Sequence, residues 1–451
     1  MLKYKKLLSN LFLVLIIINI IHIPIYANTP YPDIFSESAV LIDAKTGRVL
    51  FGKNENTRSY PASITKLLTA LIAIENQKPT DIITMSKEAV FSIERNSSNI
   101  GLDVGEQISL DQGLHALLFA SANEVANGIA ELCDGSIAAF AEHSTRRAKE
   151  LGAMNTNFTN PHGLHDPNHY TTAYDMALIS REVIGQPYFQ EIMNTHTYQI
   201  PPTNKCEEIR YLSQPHKLLN EQRYGKTYRP EVIGGKTGYT TDAGNTLVTM
   251  AKRDDVELIC VVLKSNSQNL YKDTNLILDY GFENYKSIPL HQQENIITSI
   301  PMYAIKSGEL LHVADGDICV EECVNLLASS STKERMINPI ISLPARLERD
   351  ASVGDIVGTI SYEYEGTALA TSNLVIKTLN YLPSSEPAIF PKSPQDAMPL
   401  FIMPSIPWIP LGLLAGAVLI FGLLALFSKH RRHHKRQKIK KKILKFSKTI
   451  K

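Results

Sequence analysis

Three short patterns in this 451-residue chain bring a hydroxyl and a nitrogen close together. Ser63-Ile-Thr-Lys66 and Ser330-Ser-Thr-Lys333 place a lysine three residues after a serine. Ser97-Ser-Asn99, Ser121-Ala-Asn123 and Ser267-Gln-Asn269 place an asparagine two residues after one. Lys45-Thr46-Gly47 and Lys236-Thr237-Gly238 are identical tripeptides. The chemistry open to such groups is acyl transfer: a serine oxygen attacks a carbonyl, an amine takes its proton, and backbone N–H groups hold the oxyanion. Each pattern alone is cheap, since average composition yields roughly two Ser-x-x-Lys in a chain of this size. Context has to separate the copies.

In "YPASITKLLTALIAIE", Pro61 precedes the serine and an apolar helical pattern follows it. Ser63 then sits at a helix N-terminus with Lys66 one turn on, on the same face. The bland reading of such a serine is an N-cap with a solvated lysine, and Ser330 in the polar run "ASSSTKER" takes that reading. Ser121 and Asn123 lie in "LDQGLHALLFASANEVANGIAE", apolar and helical but interrupted by small polar residues. The stretch reads either as helix packing through small side chains or as a loop between two helices that points a hydroxyl and an amide into a cleft. In "EVIGGKTGYTTDAGNTLV", Gly234 and Gly235 precede the lysine and a strand pair follows. Small residues there leave a strand edge open to a ligand backbone, with Lys236 and Thr237 offering a cation and a hydroxyl to a carboxylate. A phosphate loop is excluded, because Pro230 stands where that motif needs glycine. The first tripeptide joins the apolar runs AVLID and RVLFG, so it reads as a hairpin turn closed by Gly47.

The elements that must position these groups follow from periodicity. Strands are expected at Ala39–Asp43, Arg48–Gly52, Asn245–Ala251 and Leu258–Leu263, and helices at Ile64–Asn76, Leu110–Leu132, Ser136–Leu151 and Thr172–Ile184. Farther on, "SVGDIVGTISYEYEGTALATSNLVIKTLNY" is β-rich and broken by glycine, as in a small β-domain. "LPSSEPAIFPKSPQDAMP" carries five prolines and reads as an extended stalk.

Both ends read as membrane-directed. Lys3, Lys5 and Lys6, an apolar stretch from Leu11 to Ile21 and the small Ala27 have the order of a secretory leader, with a retained anchor as the alternative. Trp408 to Phe427 is an uncharged run of 20 residues, long enough to span, and the tail beyond it holds 12 Lys or Arg and no acid. The positive-inside rule puts that tail in the cytoplasm and the body outside. The tail's expected partner is an anionic leaflet rather than nucleic acid. Without leader and tail the formal +1 becomes about −14, which argues against nucleic-acid binding by the body. The five cysteines are scattered, outline no disulfide framework, and lack zinc-site spacing.

The order Ser63-x-x-Lys66, Ser121-x-Asn123, Lys236-Thr-Gly238 is the motif set of penicillin-binding proteins and serine β-lactamases. More closely, the chain resembles the serine D-alanyl-D-alanine carboxypeptidases of peptidase family S11. The resemblance spans about residues 30 to 385 and includes "AVLIDAKTGRVLFGKN", "ASANEVANGIAE", "ELGAMNTNFTNPHGLHDPNHYTTAYDMALISR" and "LDYGFENY". It implies an α/β (α+β) fold, penicillin-binding-protein/β-lactamase-like, with an antiparallel sheet, a helical lobe, a following small all-β domain and a C-terminal transmembrane helix. The expected layout is leader 1–27, catalytic domain 28–285, β-sandwich 286–380, stalk 381–406, span 407–427 and basic tail 428–451.

The substrate implied is a peptidoglycan stem peptide ending in D-Ala-D-Ala, with β-lactams as covalent inhibitors and no metal or other cofactor. Ser63 is the implied nucleophile, Lys66 its base, made neutral by burial near Lys236, and Ser121 a proton relay to the leaving amine. Asn123 would hold the substrate amide, Lys236 and Thr237 the terminal carboxylate. Gly238 completes the motif, and the N–H groups of Ser63 and Tyr239 would form the oxyanion hole. Ala122 stands where the family often has glycine, and "QPHKLLNEQRYGKTYRP" looks longer than usual.

Rival readings are a class A β-lactamase, for which Asp166 and Asp175 do not fit the deacylating glutamate, and a metalloenzyme using His162, His165 and His169, which lack a helix and a glutamate base. A DD-endopeptidase on crosslinks and a catalytically silent wall-binding protein are the remaining alternatives.

Overall fold

The computed structural model describes residues 30–291, 295–332, 337–364 and 367–382. The expected leader, nearly all of the stalk, the span and the basic tail lie outside the described residues. Among the described residues no helix is long and apolar enough to cross a membrane.

A five-stranded antiparallel sheet carries the first half. Its strands are β1 (Ser38–Asp43), β2 (Val49–Lys53), β7 (Val232–Thr240), β8 (Gly244–Arg253) and β9 (Val256–Ser265), in the spatial order β2-β1-β9-β8-β7. Every residue of β1 is buried, so both faces of the sheet centre are covered. Helix α6 (Ala173–Gly185) packs on β1, β8 and β9, and α9 (Leu270–Asn284) packs on β8, β9 and β1. The first Lys-Thr-Gly is the β1–β2 turn: Gly47 takes φ +77°. Arg181 of α6 holds it by donating to Ala44 O at 3.0 Å and Lys45 O at 2.9 Å.

The helical lobe is inserted between β2 and β7. Its helices are α1 (Lys66–Asn76), α2 (Lys87–Phe91), α3 (Leu110–His115), α4 (Asn123–Asp134) and α5 (Ile137–Glu150), with the short strands β3 (Ile82–Thr84) and β4 (Gln107–Ser109). After α6 come α7 (Pro187–Met193), β5 (Thr197–Ile200), β6 (Arg210–Ser213) and α8 (Glu221–Tyr224). Caps set their starts as the sequence suggests. The Ser136 hydroxyl accepts from Ala139 N, and the Thr172 hydroxyl accepts from Asp175 N at the start of α6. Ser109 and Gln112 form a reciprocal capping box at α3. One expectation fails: Leu110–Leu132 is two helices, not one. After α3 the chain widens into a π-type turn at Ala116–Ala120, then breaks at Ser121, whose φ of +57° is left-handed.

Beyond α9 every helix or strand among the described residues is a strand. Strands β10 (Tyr285–His291) and β13 (Val324–Ser329) pair with each other. Strands β11 (Thr298–Lys306), β12 (Glu309–Val320), β14 (Asn338–Ser342), β15 (Ile356–Tyr364) and β16 (Thr367–Tyr381) form a five-stranded sheet in the order β11-β12-β16-β15-β14. This part has its own core, including Ile300, Ile318, Leu326, Ile360 and Leu374.

Candidate active site

The serine sits on a forced turn. Ala62 takes φ +53°, which a Cβ disfavours, and the chain tightens into a 3-10 turn at Ala62–Thr65 before α1 begins at Lys66. Strand β8 and the 160–170 loop clamp this turn. The Thr246 hydroxyl on β8 donates to Pro61 O at 2.8 Å. The Thr65 hydroxyl donates to Ala62 O at 2.8 Å and lies 2.9 Å from His169 Nε2. Gly163 approaches so closely that a Cβ there would stand 1.9 Å from Ala62 O.

Lys66 is fully buried and its Nζ has three partners: Ser63 Oγ at 3.1 Å, Asn123 Oδ1 at 2.6 Å and His162 O at 2.7 Å. A neutral amine has two N–H donors and one lone pair. The two shorter contacts are to pure acceptors and take both donors. The lone pair is left for the Ser63 hydroxyl, which is the arrangement of a general base. Burial holds the Lys66 pKa well below the usual lysine value; the charge on Lys236 lowers it further, and Glu124 partly opposes the shift.

The break at Ser121 gives its hydroxyl a direction that a continuous helix would not. Lys236 Nζ donates to Ser121 Oγ at 3.1 Å and to Thr237 O at 2.8 Å. Lys236 is also buried, and burial brings its pKa down to about 7. It lies on β7, the last strand of the sheet, so one edge of β7 has no partner strand among the described residues. Gly238 is the close point between that edge and the serine: a Cβ there would stand 2.9 Å from Ser63 N and 2.3 Å from Thr246 Oγ1. The structure thus brings Ser63, Lys66, Ser121, Asn123, Lys236, Thr237 and Gly238 into one cluster where β7 meets the helical lobe. Tyr239 contributes backbone to the same edge, while its side chain is 64% exposed.

The histidines of the 160–170 loop do structural work. His162 Nδ1 accepts from Leu164 N at 3.1 Å while its carbonyl holds Lys66. His169 Nδ1 accepts from Thr159 N at 3.1 Å. Among the described residues no group of three His, Cys, Asp or Glu is placed to hold a metal. Asp175 is buried and accepts from Asn155 N and Thr156 Oγ1, both at 2.7 Å, and Asp166 accepts from Asn168 N at 2.7 Å. Asp175 is occupied in fastening the 155–156 segment to the start of α6, and Asp166 in holding its own loop.

Sequence reasoning missed three supports. The His162 carbonyl is a backbone group and leaves no motif. Glu124, buried beside Asn123, accepts from Ile100 N at 2.7 Å, and burial raises its pKa. His216, fully buried in the long stretch before β7, places Nε2 3.0 Å from Thr249 Oγ1 of β8, beneath Gly235.

Comparison with known proteins matches the chain to a family. Residues 26–267 match peptidase S11, described as D-alanyl-D-alanine carboxypeptidase. The chain is 30% identical over 349 residues to the D-alanyl-D-alanine carboxypeptidase DacF of Bacillus subtilis, covering 76% of this chain and 85% of that one. Penicillin-binding protein 5 from Haemophilus influenzae superposes with a TM-score of 0.63 at 26% identity, over 78% of this chain and 99% of that chain. A Streptococcus pneumoniae peptidoglycan synthesis regulatory factor (PBP3) shares the fold with a TM-score of 0.65 at 20% identity, over 77% and 100% of the two chains. The fold is α+β and penicillin-binding-protein-like, and the chain belongs to the peptidase S11 family of D-alanyl-D-alanine carboxypeptidases.

Proposed function

We propose that this serine D-Ala-D-Ala carboxypeptidase removes the terminal D-Ala of peptidoglycan stem pentapeptides through an acyl-enzyme on Ser63. The observation that carries the assignment of roles is the set of three contacts around Lys66 Nζ, with the longest, 3.1 Å, to Ser63 Oγ. The substrate lies along the open edge of β7, its carboxylate at Lys236 and Thr237 and its scissile carbonyl over Ser63 N beside Gly238.

Lys66 takes the Ser63 proton as Oγ adds to the carbonyl of the penultimate D-Ala. The N–H groups of Ser63 and Tyr239 receive the oxyanion, and Asn123 holds the substrate amide. Ser121, hydrogen-bonded to Lys236, gives its proton to the departing amine and regains one from the Lys66 ammonium, so free D-Ala leaves and Lys66 is neutral again. Water, deprotonated by Lys66, then cleaves the ester and restores Ser63. A β-lactam presents the same carbonyl and carboxylate, so it acylates Ser63. No step needs a metal or an organic cofactor.

The leader and the uncharged run from Trp408 support export and a tether, with the basic tail on an anionic leaflet. In this layout the body is catalytic domain 28–285 and β-sandwich 286–380 on a stalk, facing the wall.

The test is D-Ala release from a stem pentapeptide by the full chain and by Ser63→Ala, with intact mass after benzylpenicillin. Release and a penicillin adduct in the wild type alone support the reading. Release by both proteins, or an adduct on another residue, overturns it.

A further inference from the structure

The edge of β7 continues past the serine to a second cavity. With the carboxylate at Lys236 and the scissile carbonyl beside Gly238, the acyl part of the substrate runs toward Thr240 and the β7–β8 turn. There a groove of about 680 Å³ opens, lined by Tyr60, Arg58, Asp242, Asn168, Lys53 and Glu37 among others. Three of its lining residues are close in sequence to the catalytic site. Tyr60 is three residues before Ser63, Asp242 is two after the end of β7, and Asn168 belongs to the loop whose His162 carbonyl holds Lys66. His165 links these walls, with its ring 4.6 Å from that of Tyr60 and Nδ1 3.7 Å from Asp242 Oδ2.

The charges in the groove are not all spent. Glu37 and Lys264 pair at 2.8 Å, and Lys53 Nζ donates to Ile34 O at 2.6 Å. Arg58 lies over the Tyr170 ring at 4.4 Å and has no carboxylate partner among the described residues. Asp242 is half exposed, and its long contact to His165 is an ion pair only when that imidazole is protonated. Arg58 and Asp242 therefore line the groove with capacity to spare.

We propose that this groove is the subsite for the third residue of the stem peptide, and that it selects a side chain carrying both an ammonium and a carboxylate. Asp242 takes the ammonium and Arg58 the carboxylate. The inference rests on the substrate placement along β7 given above. One extended residue, about 3.3 Å, separates the acylated D-Ala from the third position, so a long side chain there reaches past Tyr60. meso-Diaminopimelate satisfies both partners, lysine satisfies Asp242 alone, and Nε-acetyl-lysine satisfies neither.

The experiment measures kcat/KM for D-Ala release by the full chain on three pentapeptides that differ only at the third residue. Diaminopimelate should exceed lysine, and lysine should exceed Nε-acetyl-lysine, each by about fivefold, as expected of exposed ion pairs. Arg58→Gln should collapse the first ratio only, and Asp242→Asn the second only. Penicillin acylation at the wild-type rate shows that each variant keeps its catalytic cleft. If both ratios survive in both variants, or the wild type does not discriminate, the subsite is wrong while the carboxypeptidase reading stands. If no peptide releases D-Ala although Ser63 is acylated by penicillin, the carboxypeptidase reading falls and takes the subsite with it.

Discussion

Gly238 lies against the backbone N–H of Ser63 with no room for a side chain: a Cβ would be 2.9 Å from that nitrogen. The same Cβ would press on the Thr246 hydroxyl, which fixes the serine turn through Pro61 O. Gly238→Ala should therefore displace the turn and block the oxyanion donor together. Loss of one such donor typically costs about 100- to 1,000-fold in kcat. Pre-steady-state acylation by a chromogenic cephalosporin measures this directly. An alanine variant that acylates at the wild-type rate would remove Ser63 N from the oxyanion hole.

The two buried lysines should give opposite limbs to the pH profile. Lys66 acts as a base only when neutral, so kcat/KM should climb with pH as it deprotonates. Its lowered pKa brings that limb below the ordinary lysine range. Lys236 attracts a carboxylate only when charged, and in the free enzyme it loses its proton around pH 7. A falling limb should begin there. Lys236→Arg, which stays charged, should move the falling limb to higher pH and leave the rising limb in place. A profile whose falling limb ignores that substitution would assign it to another group.

How much of this was legible in the chain depended on whether a group's partner was local. Ser63, Lys66 and the second Lys-Thr-Gly stood out because proline, a helical pattern and a strand pair surround them in sequence. Gly47 and the helix starts near Ser136 and Thr172 were readable for the same reason. Ser121 was ambiguous because its left-handed φ interrupts a stretch whose apolar periodicity continues on both sides. The break is held by tertiary contacts, with Asn123 N donating to Ser98 O at 2.8 Å. The His162 carbonyl, Glu124 and His216 were invisible because their partners lie 24 to 96 residues away, and burial gives them their effect.

Buried neutral histidines should make the fold acid-labile before its carboxylates titrate. His169 and His216 are fully buried and are held to about 3 in the folded state, chiefly by burial. Unfolded, each would take up a proton near 6.5. Between those values the unfolded chain binds more protons, so stability falls as pH falls, by about 1.4 kcal/mol per unit per histidine. Urea melts from pH 7 to pH 4 should show this slope beginning near pH 6.5. His216→Gln should flatten it by one histidine's share. An unchanged slope would assign the acid loss elsewhere.

Lys236 should cost stability for the sake of function. Its folded pKa of about 7 lies below the ordinary 10.5, so the unfolded chain is the better proton binder between those values. The stability it permits is fully present above about 10.5 and is lost as pH falls to about 7, where the buried ammonium must be carried without a carboxylate partner. Lys236→Met fills the same volume without charge, at the loss of the donors to Ser121 Oγ and Thr237 O. Replacing a buried charge by a well-packed apolar side chain is often stabilising, by about 1–4 kcal/mol. The expected result at pH 7 is a higher melting temperature with D-Ala release abolished, and a stability gain that shrinks as pH rises toward 10. A variant that melts lower at every pH would mean that the contacts to Ser121 and Thr237 outweigh the desolvation of the charge.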